Sequence, residues 1–384
     1  MKIAVTGATG HVGIGLVERL VADGHEVRAF AIDGLDILKG LPVELRVGDV
    51  CDEVALADCF SGVDLVFHLA AVISIDGDQG GKVYDINVGG ARAVADAALR
   101  AKVKRLVHFS SIHAFDMYTA DGEVDESSAR AIGAHSAAYD RSKALGEAEV
   151  RDAVARGLDA VIIHPTGIIG PPDIGPSKAG TGLLDAARGR LPFIVSGGFD
   201  WVDVRDVIEG AWAAAERGTR GHSYILSGSH RDLDELIGLT SKLAGASGPL
   251  ITMPHGLLRS IAVLPTMIGR LRGREPLFTT ESLATLAVGV RFNHDRATEE
   301  LDYRSRPIEE TIADLVDWFV ATQRIERAEQ PPSVANAETL QPKFVRHLLA
   351  HPVDGPAERQ ILARVLAMLA ASDGTIHPSE RAVI

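Results

Sequence analysis

Tyr139-Asp140-Arg141-Ser142-Lys143 is the only Tyr-x-x-x-Lys in the chain, and it lies in a stretch with helical patterning. On a helix, a spacing of four puts the phenol and the ammonium on one face. A cation held beside a phenol favours the phenolate, so the pair is expected to lower a pKa that starts near ~10. Tyr139 would then give or take a proton near neutrality. The run Phe109-Ser110-Ser111 ends an apolar segment and supplies a hydroxyl that could donate to a substrate oxygen. Taken singly these signals are ordinary, because Ser-Ser after a strand is commonly a turn or a cap.

Proton transfer at an oxygen does not move a hydride, so a cofactor is needed, and the N-terminus offers a place for one. Gly7-Ala8-Thr9-Gly10-His11-Val12-Gly13 directly follows the apolar run 2–6 and opens a helical pattern. Gly7 allows the tight turn, Gly10 lets backbone approach a pyrophosphate, and Gly13 lets helix pack on strand. Thr9, His11 and Val12 complete the loop, and the free N–H groups of the helix start face the phosphates. Asp49 is placed for an adenine amino group with Val50 beside the ring, although a helix N-cap is an equally good reading of Asp49. The second strand ends Ala29-Phe30-Ala31-Ile32-Asp33. An acid there suits a ribose 2′-hydroxyl and an arginine a 2′-phosphate. With no arginine at the tip, the reading leans to NAD over NADP, with Ile32 and Asp33 at the adenosine ribose and Arg28 as the counter-argument.

These groups need a scaffold to bring them together. The first 165 residues alternate short β-branched runs with helical patterns, the rhythm of repeated βαβ units. The expected strands are 2–6, 26–32, 43–47, 64–69, 105–110 and 159–164, and the expected helices are 13–23, 83–101 and 137–156. The fold class is therefore α/β, a Rossmann-type doubly wound parallel sheet buried on both faces. After His164 the pattern breaks into Gly170-Pro171-Pro172, Gly180-Thr181-Gly182 and Ser196-Gly197-Gly198 between shorter helices. That suits a smaller substrate lobe, mainly 166–325, of a domain spanning 1–325. A polar segment with Pro331-Pro332 reads as a linker over 326–342. It leads to a helical appendage, 343–384, with Ile361, Leu362, Val365, Leu366 and Leu369 on one face.

In order and spacing, the loop Gly7 to Gly13, Asp49, His68-Leu69-Ala70-Ala71, Ser110-Ser111, Tyr139 to Lys143 and His164-Pro165-Thr166 resemble the extended short-chain dehydrogenase/reductase superfamily, which includes the NAD-dependent epimerases and dehydratases. The similarity runs from Met1 to about Thr322. The resemblance implies a catalytic triad of Ser111, Tyr139 and Lys143, with Lys143 also holding the nicotinamide ribose. It implies that Leu69, Ala70, Ala71 and Ser110 line the cofactor and that Pro165 and Thr166 touch its nicotinamide end. Asn87 matches a helix asparagine of the family, with a role that bridging backbone groups would also explain. Family members often dimerise through the helices expected here at 83–101 and 137–156, so a homodimer is implied.

The substrate lobe departs from the nucleotide-sugar members. Where many of those carry Arg-Asp-Phe-(Val/Ile)-(Tyr/His)-Val-x-Asp, this chain has Phe199-Asp200-Trp201-Val202-Asp203-Val204-Arg205-Asp206. Phe199 replaces the arginine, a loss that disfavours a dianionic diphosphate. The lobe looks more like that of dihydroflavonol-reductase-like and sterol-dehydrogenase-like members, whose substrates are hydrophobic ketones or alcohols. The apolar stretch 250–271 fits an oily pocket, though a core-packed helix pair accounts for it equally well. His164 stands where an arginine often precedes the proline.

Composition narrows the partners. Lys and Arg number 39 against 52 Asp and Glu, a formal charge of −13, so nucleic acid and anionic membranes are repelled over most of the surface. Cys51 and Cys59 form no paired cluster and read as reduced thiols in a cytoplasmic protein. The run 2–6 is too short for a signal-peptide core. Pro254, His255, Arg259, Pro265 and Arg270 interrupt the stretch 249–271, so it does not read as a transmembrane segment. His68 and His113 read as packed side chains, and no metal site is expected. Ser372 to Glu380 resembles half a calcium loop without its first ligands, so calcium is not expected. That segment is more similar to the start of a tellurite-resistance B-type helical domain. The leading function is reversible oxidation of a small-molecule secondary alcohol, or reduction of its ketone, with NAD or NADP. Nucleotide-sugar epimerisation or dehydration is the alternative, and a non-catalytic dinucleotide-sensing scaffold the further one.

Overall fold

The computed structural model describes residues 1–74, 77–118, 122–191, 193–248, 251–253 and 289–326. The expected linker beyond its first residue, the appendage, and all but a few residues of the apolar stretch 249–271 lie outside the described residues.

Short runs of β-branched and aromatic residues form the strands. In chain order these are β1 (Lys2–Thr6), β2 (Glu26–Ala31), β3 (Val43–Val47), β4 (Leu65–His68), β5 (Arg105–Phe109), the two-residue β6 (Glu123–Val124), β7 (Ala160–Pro165), β8 (Gly167–Ile169), β9 (Phe193–Val195), β10 (Gly198–Asp203), β11 (Ser223–Leu226) and β12 (Ser229–Asp232). Seven of them make one parallel sheet in the order β11-β7-β5-β4-β1-β2-β3. The order reverses between β1 and β4, and a switch of that kind opens a crevice at the carboxyl ends of the strands. Each expected strand falls within a residue or so of an observed one. Ile32, Leu69 and Ser110 lie just past their strands, at the crevice. The seventh strand, β11, was not among those expected, because its tetrad Ser223-Tyr224-Ile225-Leu226 lies within the loosened pattern after His164.

Both faces of the sheet are covered, as expected. Helix α1 (His11–Ala22) buries Ile14, Leu16, Val17 and Leu20, and it shares a core with Val204, Val207 and Ile208 of α7 (Val204–Arg217). On the other face lie α2 (Glu53–Phe60), α4 (Ala91–Ala101) and α5 (Ala138–Ala155), whose core includes Leu56, Val94, Ala98 and Val150. The helix expected at 83–101 is not regular. A single α-turn, α3 (Lys82–Tyr84), passes into a π-helical segment, Asp85–Gly90, before α4 begins.

The lobe beyond β7 has its own core, joining Leu183 and Leu184 of α6 (Lys178–Ala187), Leu236 and Ile237 of α8 (Leu233–Ala244), and Ile312, Leu315 and Phe319 of the helix Ile308–Ala321. A second sheet, β12-β10-β8, links this lobe to the carboxyl end of β7 through Thr166.

Candidate active site

The glycine loop is shaped by contacts that leave no room for side chains. Gly7 has φ +70°, and a Cβ there would lie 2.7 Å from Ala70 N. A Cβ on Gly13 would lie 2.2 Å from Gly7 O. At Gly10 the nearest obstacle would be Gly7 O at 3.4 Å, so this glycine is open on its outer side. Gly10 caps α1 without a side-chain hydrogen bond, and the first turn carries no acid. The amides of the helix start thus have neither a capping oxygen nor a repelling charge, which is what a pyrophosphate needs. The His11 ring pairs with Gly170 O at 2.8 Å, leaving its backbone for the phosphates. Leu69 N donates to Thr6 O and Ala70 N to Thr6 Oγ1, which lays the segment Leu69 to Ala71 along the loop.

Around the adenosine end, Asp33 and Ile32 are exposed just beyond β2. A Cβ on Gly34 (φ +70°) would lie 3.6 Å from the Thr9 side chain. Arg28, the argument for a 2′-phosphate, is sealed in. Its guanidinium donates to Glu44 at 2.7 Å and to the carbonyls of Asp58, Cys59 and Ser61. Asp49 is not a helix N-cap, because Asp52 takes that place by accepting from Val54 N and Ala55 N. Asp49 Oδ1 accepts from Cys51 N in a local turn. The Val50 side chain is buried beside Gly90, and Asp49 is half-buried.

Ser111, Tyr139 and Lys143 come together at the carboxyl ends of β4, β5 and β7. Ser111 follows β5 by two residues, and its hydroxyl lies near enough to the phenol of Tyr139 to bear on its titration. The Ser111 oxygen also accepts from His113 N at 3.2 Å, which fixes it at the head of the turn Ile112–Ala114. Lys143 is buried and Nζ donates to Phe109 O at 2.9 Å. The expected lowering of Tyr139 by Lys143 is not found. Burial pushes the phenol up to about 12, against the Ser111 hydrogen bond and with the Asp140 charge adding to the rise. Burial brings Lys143 down to about 8, with the Glu147 charge opposing. Desolvation outweighs the helical spacing, and the ammonium is directed at a carbonyl.

Nearby polar groups complete the picture. Asn87, in the π-helical segment, grips Val72 through both backbone atoms (2.8 and 2.9 Å) and donates to Ser142 Oγ at 2.9 Å. It bridges backbone, as one of its two sequence readings held. Ser110 is buried with its Oγ unpartnered among the described residues, beside the crevice. Pro165 ends β7, and Thr166 follows, buried, with its N bonded to Leu226 O.

Sequence reasoning missed the buried network below Lys143. Glu147 lies one helical turn on and is bonded to His164 Nε2 (2.7 Å), Arg130 (2.9 Å) and Arg151 (2.8 Å). Although burial opposes its charge, the His164 contact and the two arginines hold the Glu147 carboxyl well below the usual range. The departure at His164 is thereby explained. The cation comes instead from Arg130, which also lies 4.2 Å over the Phe115 ring. The spacing Lys143 to Glu147 was the available signal. His68 is packed as expected, bonded to Thr6 Oγ1 at 2.8 Å, and burial takes it down to about 3. His113 is more than packing, because its Nδ1 lies 2.8 Å from Asp140 Oδ1. No cluster of metal-ligating side chains occurs among the described residues.

Residues 3–227 match the model of the NAD dependent epimerase/dehydratase family. Sterol demethylase protein B of Methylococcus capsulatus is 36% identical over 83% of this chain and 98% of its own length. A putative dihydroflavonol 4-reductase of Synechocystis is 33% identical over 82% of this chain and 93% of its own. Among solved structures, that of gox2253 superposes with a TM-score of 0.73 at 33% identity, covering 84% of this chain and 99% of the other. With the tight glycine loop after β1 and the meeting of Ser111, Tyr139 and Lys143 at the crevice, these likenesses agree that this NAD(P)-dependent enzyme belongs to the NAD-dependent epimerase/dehydratase family of extended short-chain dehydrogenases/reductases.

Proposed function

We propose that the chain catalyses reversible oxidoreduction between a hydrophobic secondary alcohol and its ketone. The observation that carries this reading is the convergence of Ser111, Tyr139 and buried Lys143 at the end of the crevice that the glycine loop opens. The nicotinamide, when bound, accepts or supplies the hydride. Tyr139 exchanges the proton at the substrate oxygen, and Ser111 donates a hydrogen bond to the same oxygen. Lys143 holds positive charge next to this proton exchange and reaches the nicotinamide ribose. The high phenol pKa makes Tyr139 a proton donor at rest, so ketone reduction is the direction in which the resting protonation state is already correct.

Gly7, Thr9, Gly10, the backbone of His11 and Val12, and Gly13 hold the pyrophosphate. Asp49 takes the adenine amino group, and Leu69 to Ala71, Ser110, Pro165 and Thr166 line the rest. The sealing of Arg28 and the exposure of Asp33 support NAD over NADP. Phe199, in the place of an arginine, contacts Trp201 and Phe292 and favours an apolar substrate over a nucleotide sugar. A homodimer through α4 and α5 and a cytoplasmic location complete the reading. Among the described residues no helix is long and apolar enough to cross a membrane.

Replacing Tyr139 by Phe tests the mechanism. Turnover of NADH with a panel of aryl and alicyclic ketones should fall by about 10²–10⁴-fold, while dinucleotide affinity measured by calorimetry stays near that of the parent. A variant as active as the parent would remove Tyr139 from the reaction.

A further inference from the structure

The triad does not use His113. This residue stands on the turn Ile112–Ala114, immediately after Ser111, and its ring lies edge-on to the Tyr139 ring with centroids 5.4 Å apart. Its other side stacks on Phe199 at 6.3 Å, and Phe199 in turn packs edge-on against Trp201 and Phe292. The imidazole is thus set into an aromatic wall beside the reacting phenol. Asp140, the residue after Tyr139, is nearly buried and lies 2.8 Å from His113 Nδ1. A carboxylate can only accept, so Nδ1 carries the hydrogen, and the tautomer so fixed is the one that presents Nε2 as an acceptor. Among the described residues Nε2 has no partner, and the side chain keeps 24% exposure.

Two features separate this arrangement from packing. A histidine that merely filled space in an aromatic wall would not need a buried carboxylate to set its tautomer. And the dyad is built from the residue two beyond Ser111 and the residue after Tyr139, so it moves with the same turn and the same helix that position the chemistry.

We propose that His113, oriented by Asp140, accepts a hydrogen bond from a hydroxyl on the carbon next to the reacting carbonyl. The substrate class is then an apolar α-hydroxy ketone, with a vicinal diol as its reduced form. This rests on the ketone-reductase reading above. The reaction balances without a further reagent: ketone, NAD(P)H and a proton give the alcohol and NAD(P)+, and the neighbouring hydroxyl is unchanged. Its contribution is recognition and orientation, because a site built to bond a hydroxyl discriminates strongly against the analogue that lacks it.

The test uses the full chain with NADH or NADPH and a matched pair of probes, benzoin and deoxybenzoin, which differ only in the α-hydroxyl. The parent should reduce benzoin with a kcat/KM at least about tenfold above that for deoxybenzoin. His113→Phe keeps the ring in the wall and removes both nitrogens, and it should cut that ratio about tenfold, mainly through the KM for benzoin. His113→Gln restores an acceptor and should recover part of the ratio, while Asp140→Asn should lower it by freeing the ring. Thermal melts of each variant identify loss of fold, and if His113→Phe does not fold, the His113→Gln and Asp140→Asn ratios decide. Equal kcat/KM for the two probes in the parent, or a His113→Phe variant that lowers both alike, would overturn the proposal. So would failure to reduce or bind either probe while dinucleotide still binds and simple ketones are turned over through Tyr139. Loss of all ketone reduction would instead remove the reading on which it rests.

Discussion

Lys143 illustrates how burial and function pull one residue in opposite directions. Its ammonium titrates at about 8 in the fold against 10.5 unperturbed, so between those values the unfolded chain binds more protons than the folded one. The cost of burying the charge is therefore felt in full below about pH 8, and stability from this group rises as pH climbs toward 10.5. Activity should run the other way. As pH passes about 8 the charge beside Tyr139 is lost, and kcat/KM should decline. Two measurements check this: a pH series of kcat/KM for the parent, and urea denaturation of the parent and Lys143→Met at pH 8 and pH 10. The variant should lack the parent's extra gain in stability between the two pH values.

Among the elements, the start of α1 and the middle of α5 bear most directly on the site. Gly13→Ala would set a methyl 2.2 Å from Gly7 O, forcing α1 away from β1, so both melting temperature and dinucleotide affinity should drop. Gly10→Ala meets backbone only at 3.4 Å and should melt like the parent, yet bind dinucleotide more weakly because its methyl takes the space over the open amides. Calorimetry together with thermal melts separates the two. Glu147 ties α5 to β7 through His164 and to the loop preceding α5 through Arg130. Glu147→Gln breaks a buried ionic network by removing one partner and should cost about 3 kcal/mol of unfolding free energy, read from denaturant titration.

For the whole molecule, the family likeness covers the sheet and the lobe together, and the crevice lies where the two meet. The α4–α5 face carries cross-helix ion pairs, Arg92 to Glu149 and Arg156 to Asp96, with Tyr84 exposed beside them. Pairs of this kind are worth little in water, and a second copy of the chain seated on the face would desolvate them. Sedimentation velocity at micromolar protein should give the mass of two chains, and a single-chain mass across that range would remove the dimer.

How much was legible beforehand follows from the range of the interactions involved. The order of βαβ units, the tight turn of the loop Gly7 to Gly13 and the helix that carries Tyr139 and Lys143 could be read from the sequence because strand burial, tight turns and helix spacing are local properties of a few adjacent residues. The irregular helix at Asp85–Gly90 was not legible. Its π-turn accompanies the bonds from Asn87 to Val72 and Ser142, and a Cβ on Gly146 would lie 2.3 Å from Asn87 O, a fit made by segments distant in the chain. The same holds for the protonation of Tyr139 and Lys143, where desolvation in the folded chain overrides the effect of spacing. Sealing Arg28 away from the cofactor, supplying Arg130 in place of the missing arginine at His164, and turning His113 toward Asp140 all require groups brought together only by folding. Sequence alone determined which chemistry the chain carries, and the tertiary structure decided the charge, the orientation and the neighbours with which it is carried out.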